Sequence, residues 1–196
     1  TEVRLSTDAK GEDNAIVLSL DNTLSNDEGY ELSVFKEQIS LKGKTEAGVF
    51  YGIQTLHKAL PVTDGTTLAA VPCGSVKDYP RFGYRGFMVD VGRHFFSVDY
   101  LKDIIDMLAL HNINYFHWHL TEDQGWRIEI KKYPQLTKVG AFRDEKGGDQ
   151  GPDNGFYTQE QLKDIIDYAA ERHVEIIPEL DIPGHTAAVL AVFPEM

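Results

Sequence analysis

Cysteine is almost missing from these 196 residues: Cys73 stands alone. No internal disulfide can form, and the redox compartment cannot be read from thiol usage. Basic side chains are scarce as well. Nineteen Lys and Arg face 31 Asp and Glu, a formal charge of −12, and such a surface would repel nucleic acid or an anionic membrane. The balance fits a soluble chain acting on a neutral ligand. No apolar run approaches the ~20 residues that cross a bilayer, so no membrane span is expected. No signal peptide is visible, although an opening on Thr1 rather than Met is compatible with a leader removed by processing. Low-complexity segments and short internal repeats are absent too, while the apolar fraction of 42% suffices for one medium core or two small ones.

What is present divides at Asp78-Tyr-Pro-Arg-Phe82, where Pro80 keeps the residue before it extended. Residues 1–78 read as a small α+β domain with an antiparallel sheet. Residues 15–20, 30–34 and 39–41 are strand candidates, with turn signals at Asn26-Asp27 and Gly43, and 67–71 and 75–77 add two short ones. A helix over about 46–60 places Val49, Ile53, Leu56 and Leu60 on one stripe and stops at Pro61. One helix on one face of a sheet is a sufficient small domain. It carries no charged cluster or Gly-rich loop that suggests chemistry, so its expected role is to brace its neighbour.

Residues 79–196 say more. Gly86-Phe-Met-Val-Asp-Val91 suits a buried parallel strand. A helix opening at Ser97 carries Leu101, Ile104, Ile105 and Leu108 at i, i+3, i+4, i+7, and 113–120 is a second aromatic and β-branched run. Strand, helix, strand over about thirty residues is a right-handed βαβ unit. The long connection 121–157 reads as mobile at its tip, 147–155. Thr158 and Gln161 then form a capping box for a helix with Leu162, Ile165, Ile166 and Ala169 facing inward, and 174–180 is a third buried strand. Three β-to-α steps open a (β/α)8 TIM barrel, a fold of ~250 residues, whereas only 115 residues follow Arg81. The segment therefore reads as a truncated barrel within a larger enzyme. Its open edge and inner face need covering by the remainder of the barrel, from the same gene or another chain.

Function turns on where the polar residues fall. Asp90, Arg93 and His94 lie at and just past the end of the first of these strands. Glu122, Asp123 and Trp126 follow the second, and Asp181 and His185 the third. In parallel α/β folds that rim is where ligands bind. Three stretches carry these residues: Arg85-Gly-Phe-Met-Val-Asp90 with Arg93-His94-Phe95, then His117-Trp-His-Leu-Thr-Glu-Asp-Gln-Gly-Trp126, then Glu179-Leu-Asp-Ile-Pro-Gly-His185-Thr186. In content and order they resemble motifs of the family 20 glycoside hydrolases, the β-N-acetylhexosaminidases. The likeness runs from about Phe82 onward, and the preceding segment resembles the small domain that usually precedes the family's barrel. It implies retaining, exo-acting hydrolysis of terminal GlcNAc or GalNAc from glycans, with no cofactor. It also implies export (periplasmic, cell-surface or secreted) or a lysosomal location.

Each candidate has two readings. Arg93 presents a fixed fork of donors able to hold two neighbouring hydroxyls of a sugar, or it ion-pairs with Asp90 or another rim carboxylate. The resemblance matches it to the arginine that grips O3 and O4 of the terminal sugar. Glu122 and Asp123 are by default caps or solvated charges. By the resemblance one of them belongs to the hydrogen-bonded active-site network, Glu122 matching a position that many relatives fill with Asp. Asp181 and His185 lie four apart around a Pro-Gly turn that aims both across the mouth. An imidazole between two carboxylates is held in one tautomer and stabilised when charged. The resemblance makes His185 the residue that positions and tunes the catalytic Glu; otherwise it is a capped loop histidine. Trp126 is pocket wall or plain packing.

His117 and His119 share a strand face, like the HxH zinc site of some barrel hydrolases. Asp-x-x-Gly-His is not a metal spacing, however, and no His or Cys follows His185. Two hydrogen-bonded histidines in the wall or mouth, and no metal, are expected. By the same resemblance the substrate's own 2-acetamido oxygen attacks the anomeric carbon, one carboxylate orients that amide, and a neighbouring Glu protonates the leaving oxygen. The family sets this Asp-Glu pair after the fourth strand, in a His-x-Gly-Gly-Asp-Glu sequence that is not found here. Asp27-Glu28 and Asp144-Glu145 do occur, in a turn of the small domain and in the long loop, and neither matches. These residues alone are therefore expected to be inactive. Two other readings stay open. One is a non-catalytic glycan-binding or assembly module completed by another chain; the other is a metal-dependent barrel hydrolase built on His117 and His119, which a chelator would silence.

Overall fold

The computed structural model describes residues 14–61, 70–142 and 154–196. The chain forms two compact units, Thr1–Gly83 and Tyr84–Met196. Most of the strand expected at 67–71, the tip of the long connection and the Asp144-Glu145 pair lie outside the described residues; Ala70 and Val71 are described and are not strand.

In the first unit, β1 (Ala15–Leu20), β2 (Tyr30–Val34), β3 (Gln38–Gly43) and β4 (Gly74–Asp78) form a sheet of order β1-β3-β2-β4. It is mixed, not purely antiparallel: β1 runs parallel to β3. The reason is geometric. Leu20 and Tyr30 both pair with Gly43, so the connection between β1 and β2 crosses the end of β3. β2 then returns antiparallel to β1, and β3, joined to β2 by a tight turn, must run with β1.

Helix α1 (Glu46–Ala59) lies on this sheet. Its buried side is Gly48, Tyr51, Gly52 and Leu56, packed over Tyr30, Leu32 and Leu41. The expected stripe is thus rotated: Leu56 is inside, while Ile53 and Leu60 are exposed. Two glycines one turn apart cause the rotation. A Cβ at Gly48 would strike the carbonyl of Gly29 and one at Gly52 would strike Leu41, so this face alone lets the helix come close.

In the second unit, β5 (Gly86–Asp90), β6 (Tyr115–His119) and β9 (Glu175–Glu179) form a parallel sheet of order β5-β6-β9. Helix α2 (Val98–Leu110) connects the first two, opened by Ser97, whose hydroxyl accepts from the N–H of Tyr100 at 3.2 Å. Helix α4 (Gln159–Ala170) leads into β9 and starts with the Thr158–Gln161 capping box. Leu101, Ile105 and Leu108 of α2 and Ile165 and Ala169 of α4 are buried; α2 packs against α4, and α4 against β9. Ile166 is exposed instead, because it falls about 100° around the helix from Ile165. Period-two alternation divides β6: Phe116 and Trp118 are buried on one face, and His117 and His119 occupy the other. The outer strands are not buried as expected. Phe87 and Met88 of β5 and Ile177 of β9 are exposed, since a three-stranded sheet has two edges and only its middle strand is covered on both sides. The connection after β6 contains a two-residue hairpin, β7 (Thr121–Glu122) with β8 (Gly125–Trp126), and the short helix α3 (Gln135–Lys138). A last short helix, α5 (Ala187–Leu190), follows β9.

Candidate active site

The parallel register assembles the site. Asp90, His119 and Glu179 are the last residues of their strands and stand in one row, Asp90 paired with His119 and His119 with Glu179. His119 Nδ1 lies 2.6 Å and His117 Nε2 2.5 Å from the same Glu179 oxygen, Oε2. Both histidines are thus hydrogen-bonded to one carboxylate.

Each strand then hands the chain to a turn that brings one more group over the row. Asp90 shapes the first turn: Oδ1 accepts from the Arg93 N–H at 2.9 Å and Oδ2 pairs with Arg93 Nη1. Arg93 Nη2 pairs with Glu122 Oε1. The ion pair foreseen as the alternative for Arg93 forms, and a second carboxylate joins it. The side chain is nonetheless 46% exposed, so solvent reaches it. Glu122 is only 2% exposed. It reaches this place because residue 92 is glycine; a Cβ there would lie 2.7 Å from Glu122 Cβ.

From the third turn His185 Nδ1 approaches Glu122 Oε2 at 3.0 Å and Asp123 Oδ2 at 3.5 Å. Its φ of 52° lies in the left-handed region, which a histidine enters only where its surroundings hold it. The hold is visible. Asp123 Oδ1 accepts from the N–H of Ala187 at 3.0 Å, tying the two turns together, and the N–H of Asp123 donates to Glu122 Oε2 at 3.0 Å. Asp181 is different from expectation. His185 sits between Glu122 and Asp123, and the Asp181 carboxylate makes no hydrogen bond or ion pair among the described residues. Its N–H donates to Thr121 Oγ1 at 2.8 Å, so Asp181 enters the turn through its backbone. Trp126 is packing, 7% exposed beside Leu136 and Ala188, with Nε1 donating to Ile128 O at 2.7 Å.

Two triads, Asp90–His119–Glu122 and Glu122–Asp123–His185, have donor atoms within 4.8 Å of one another, close enough for a cation. In the first, the Arg93 guanidinium already lies against both carboxylates and supplies the positive charge. His117 and His119 both point their near nitrogens at Glu179.

His119 is subject to opposing influences. Burial disfavours its charge, but the hydrogen bond to Glu179 and the charges of Asp90, Glu179 and Glu122 outweigh that, holding its pKa above the ordinary 6.5. Glu179 moves the other way, drawn below 4.5 by the hydrogen bond from His119, against its partial burial and with help from His117. A raised imidazole contributes stability that is whole below pH 6.5 and fades as pH rises through its folded value. A depressed carboxylate contributes stability that is whole above pH 4.5 and fades as pH falls. The pair therefore stabilises the unit most between pH 4.5 and 6.5. Urea midpoints are expected to fall on both sides of that window, and His119→Gln to flatten the alkaline limb. An alkaline limb untouched by the substitution would rule this out.

Arg93, Glu122, Asp123 and His185 come together; the Asp181 side chain does not join them. The sequence reading did not single out Glu179 as a partner of the histidines, or Gly92 as the opening for Glu122. Treating the final residue of every parallel strand as a rim residue would have found Glu179. Nothing local marks Gly92.

Comparison with known proteins bears on the same residues. Residues 82–196 match the sequence model of the glycosyl hydrolase family 20 catalytic domain, and 1–79 that of the family's domain 2. A β-hexosaminidase of Porphyromonas gingivalis is 50% identical over 93% of this chain and 24% of its own length. A β-hexosaminidase of Vibrio furnissii is 47% identical over 92% of the chain and 30% of its own. The crystal structure of a β-N-acetylhexosaminidase from Bacteroides fragilis superposes with a TM-score of 0.84 at 43% identity, covering 92% of this chain and 36% of that one. An exo-β-N-acetylglucosaminidase from Vibrio harveyi, solved with N-acetylglucosamine, gives 0.85 at 39%, covering 92% and 29%. The chain thus spans about a quarter to a third of the curated relatives' length, and its three parallel strands correspond to the opening of the family's TIM barrel. With the catalytic-domain match alone covering 115 of 196 residues, the chain belongs to glycosyl hydrolase family 20.

Proposed function

We propose that the protein carrying these residues is a retaining exo-β-N-acetylhexosaminidase, removing terminal GlcNAc or GalNAc from glycans by substrate-assisted catalysis. The observation that carries this reading is the meeting of Arg93, Glu122, Asp123 and His185 above the Asp90–His119–Glu179 row. In it, Arg93 binds two adjacent hydroxyls of the terminal sugar with its exposed donors while Asp90 and Glu122 fix its plane. Glu122 and Asp123 orient His185 through Nδ1. Its Nε2, without a hydrogen bond among the described residues, is left to position a catalytic carboxyl. Asp181 supports the turn. The acetamido oxygen of the substrate is the nucleophile, so the protein needs only to orient that amide and protonate the leaving oxygen.

The Asp-Glu pair for those two tasks is not among these 196 residues. Asp27 of the first unit is held by Lys44 at 2.7 Å, far in sequence from the rim. We therefore expect no turnover from these residues alone. The exposed Phe87, Met88 and Ile177 of β5 and β9 suit coverage by the rest of the barrel, supplied by the same polypeptide or another chain. The test compares the full-length protein with the 196-residue chain on aryl β-N-acetylglucosaminide, β-N-acetylgalactosaminide and β-glucoside. Only the full-length protein is expected to release the aryl group, and only from the acetamido sugars. Equal release from the glucoside would remove the substrate-assisted step. Sugar binding without turnover by the full-length protein would favour a glycan-binding module instead.

A further inference from the structure

Arg127 is 0% exposed, a rare setting for a guanidinium. Four of its hydrogen bonds go to backbone carbonyls: Nε to Val91 at 3.0 Å, Nη2 to Gly92 at 3.0 Å, and Nη1 to Ala141 at 2.9 Å and Gly155 at 3.1 Å. Val91 and Gly92 are the two residues before Arg93. The backbone of Arg127 is fixed as well, its N–H donating to Leu120 O at 3.0 Å and its carbonyl accepting from Tyr157 at 2.7 Å. Buried Tyr157 continues the support, since its hydroxyl donates to Phe96 O at 2.6 Å. The turn bearing Arg93 is thus held on both sides, by Arg127 before it and by Tyr157 after it. The Phe95 ring closes the assembly, 4.9 Å from the Tyr157 ring and 5.8 Å from Arg127 Cζ. The space is fitted to this arrangement: a Cβ at Gly125 would meet the Arg127 guanidinium, and one at Gly155 would lie 2.6 Å from the Phe95 ring.

We propose that Arg127 is a positioning residue for Arg93, setting through the Val91 and Gly92 carbonyls where the turn presents the sugar-binding guanidinium. This rests on the functional reading above. A planar fork of donors satisfies several carbonyls in fixed directions at once; a lysine in its place keeps the charge and loses the fork. A displacement of about 1 Å in a group that orients substrate costs on the order of 10²-fold, so small losses at the support are read at the site.

The test uses the full-length protein. Arg127→Lys is expected to raise KM for an aryl β-N-acetylglucosaminide by roughly tenfold or more, with a smaller change in kcat. Tyr157→Phe shifts KM in the same direction by less. Adding Arg127→Lys to Arg93→Ala causes little further loss, because the two act through one group. Amide hydrogen exchange over residues 91–96 accelerates in Arg127→Lys while exchange in β9 stays at the parent rate. An unchanged KM, or a loss fully additive with that of Arg93→Ala, overturns the proposal and leaves Arg127 a structural residue. Should Arg127→Lys fail to fold, Tyr157→Phe decides by the same KM and exchange criteria. A parent protein without N-acetylhexosaminidase turnover sinks the functional reading, and the exchange measurement then decides positioning by itself.

Discussion

Replacing Arg93 by alanine in the full-length protein is expected to lower kcat/KM on an N-acetylhexosaminide by on the order of 10²–10³, mostly through KM. In the proposed role, two charge-assisted hydrogen bonds to sugar hydroxyls, at about 1.5–2 kcal/mol each for a side chain that is 46% exposed, convert at about 1.4 kcal/mol per tenfold to losses of that size. A second effect adds to the first. Arg93 is the cation between Asp90 and Glu122, and Glu122 is 2% exposed, so alanine leaves a desolvated carboxylate short of its neutralising partner. Arg93→Lys separates the two contributions, since it restores a charge near Glu122 without the planar fork; an intermediate loss is expected. Steady-state kinetics of both variants decide the matter. A loss below fivefold in Arg93→Ala would mean that this guanidinium does not hold the sugar.

Gly92→Ala is the second substitution with a large expected effect. The added methyl would sit 2.7 Å from Glu122 Cβ, 3.0 Å from its backbone N and 3.1 Å from Cγ. None of these is the loose end of a flexible side chain, and Glu122 lies in the β7–β8 hairpin. Overpacking of this kind costs about 1–3 kcal/mol, so a thermal midpoint several degrees lower is expected. The site suffers more than the fold, because moving Glu122 disturbs its contacts with Arg93 and His185 together. We expect kcat/KM to fall by roughly tenfold or more. Parent-like kinetics at a lowered midpoint would show that Glu122 can shift without consequence.

Both substitutions concern contacts between turns far apart in the sequence, and the readings that failed share that character. The α1 stripe was chosen from large apolar residues, yet Gly48 and Gly52 decide which side faces the sheet, because close approach outweighs side-chain area there. An antiparallel sheet was expected from alternation and turn signals, which carry no direction; the crossing of β3 by the β1–β2 connection made β1 parallel. Asp181 was paired with His185 by spacing around one turn, whereas the histidine's carboxylate neighbours come from the preceding βα turn. Readings with a local cause fared better. Ala15–Leu20 and Tyr30–Val34, the second by its alternation, were expected as strands and are strands, and Thr158 with Gln161 marked the start of α4.

The main strands and helices, the three motif-bearing strand ends and the family whose motifs they resemble were legible along the chain, since hydrophobic period, capping and motif content are properties of neighbouring residues. It took the packed chain to show that Asp90, His119 and Glu179 share one row, that Glu122 lies buried between Arg93 and His185, and that Arg127 holds the Val91 and Gly92 carbonyls just before Arg93. The physical reason is register. A strand's alternation states which residues share a face, while its alignment with the next strand follows from how the connecting helices and turns pack, and no stretch of the chain contains that information on its own.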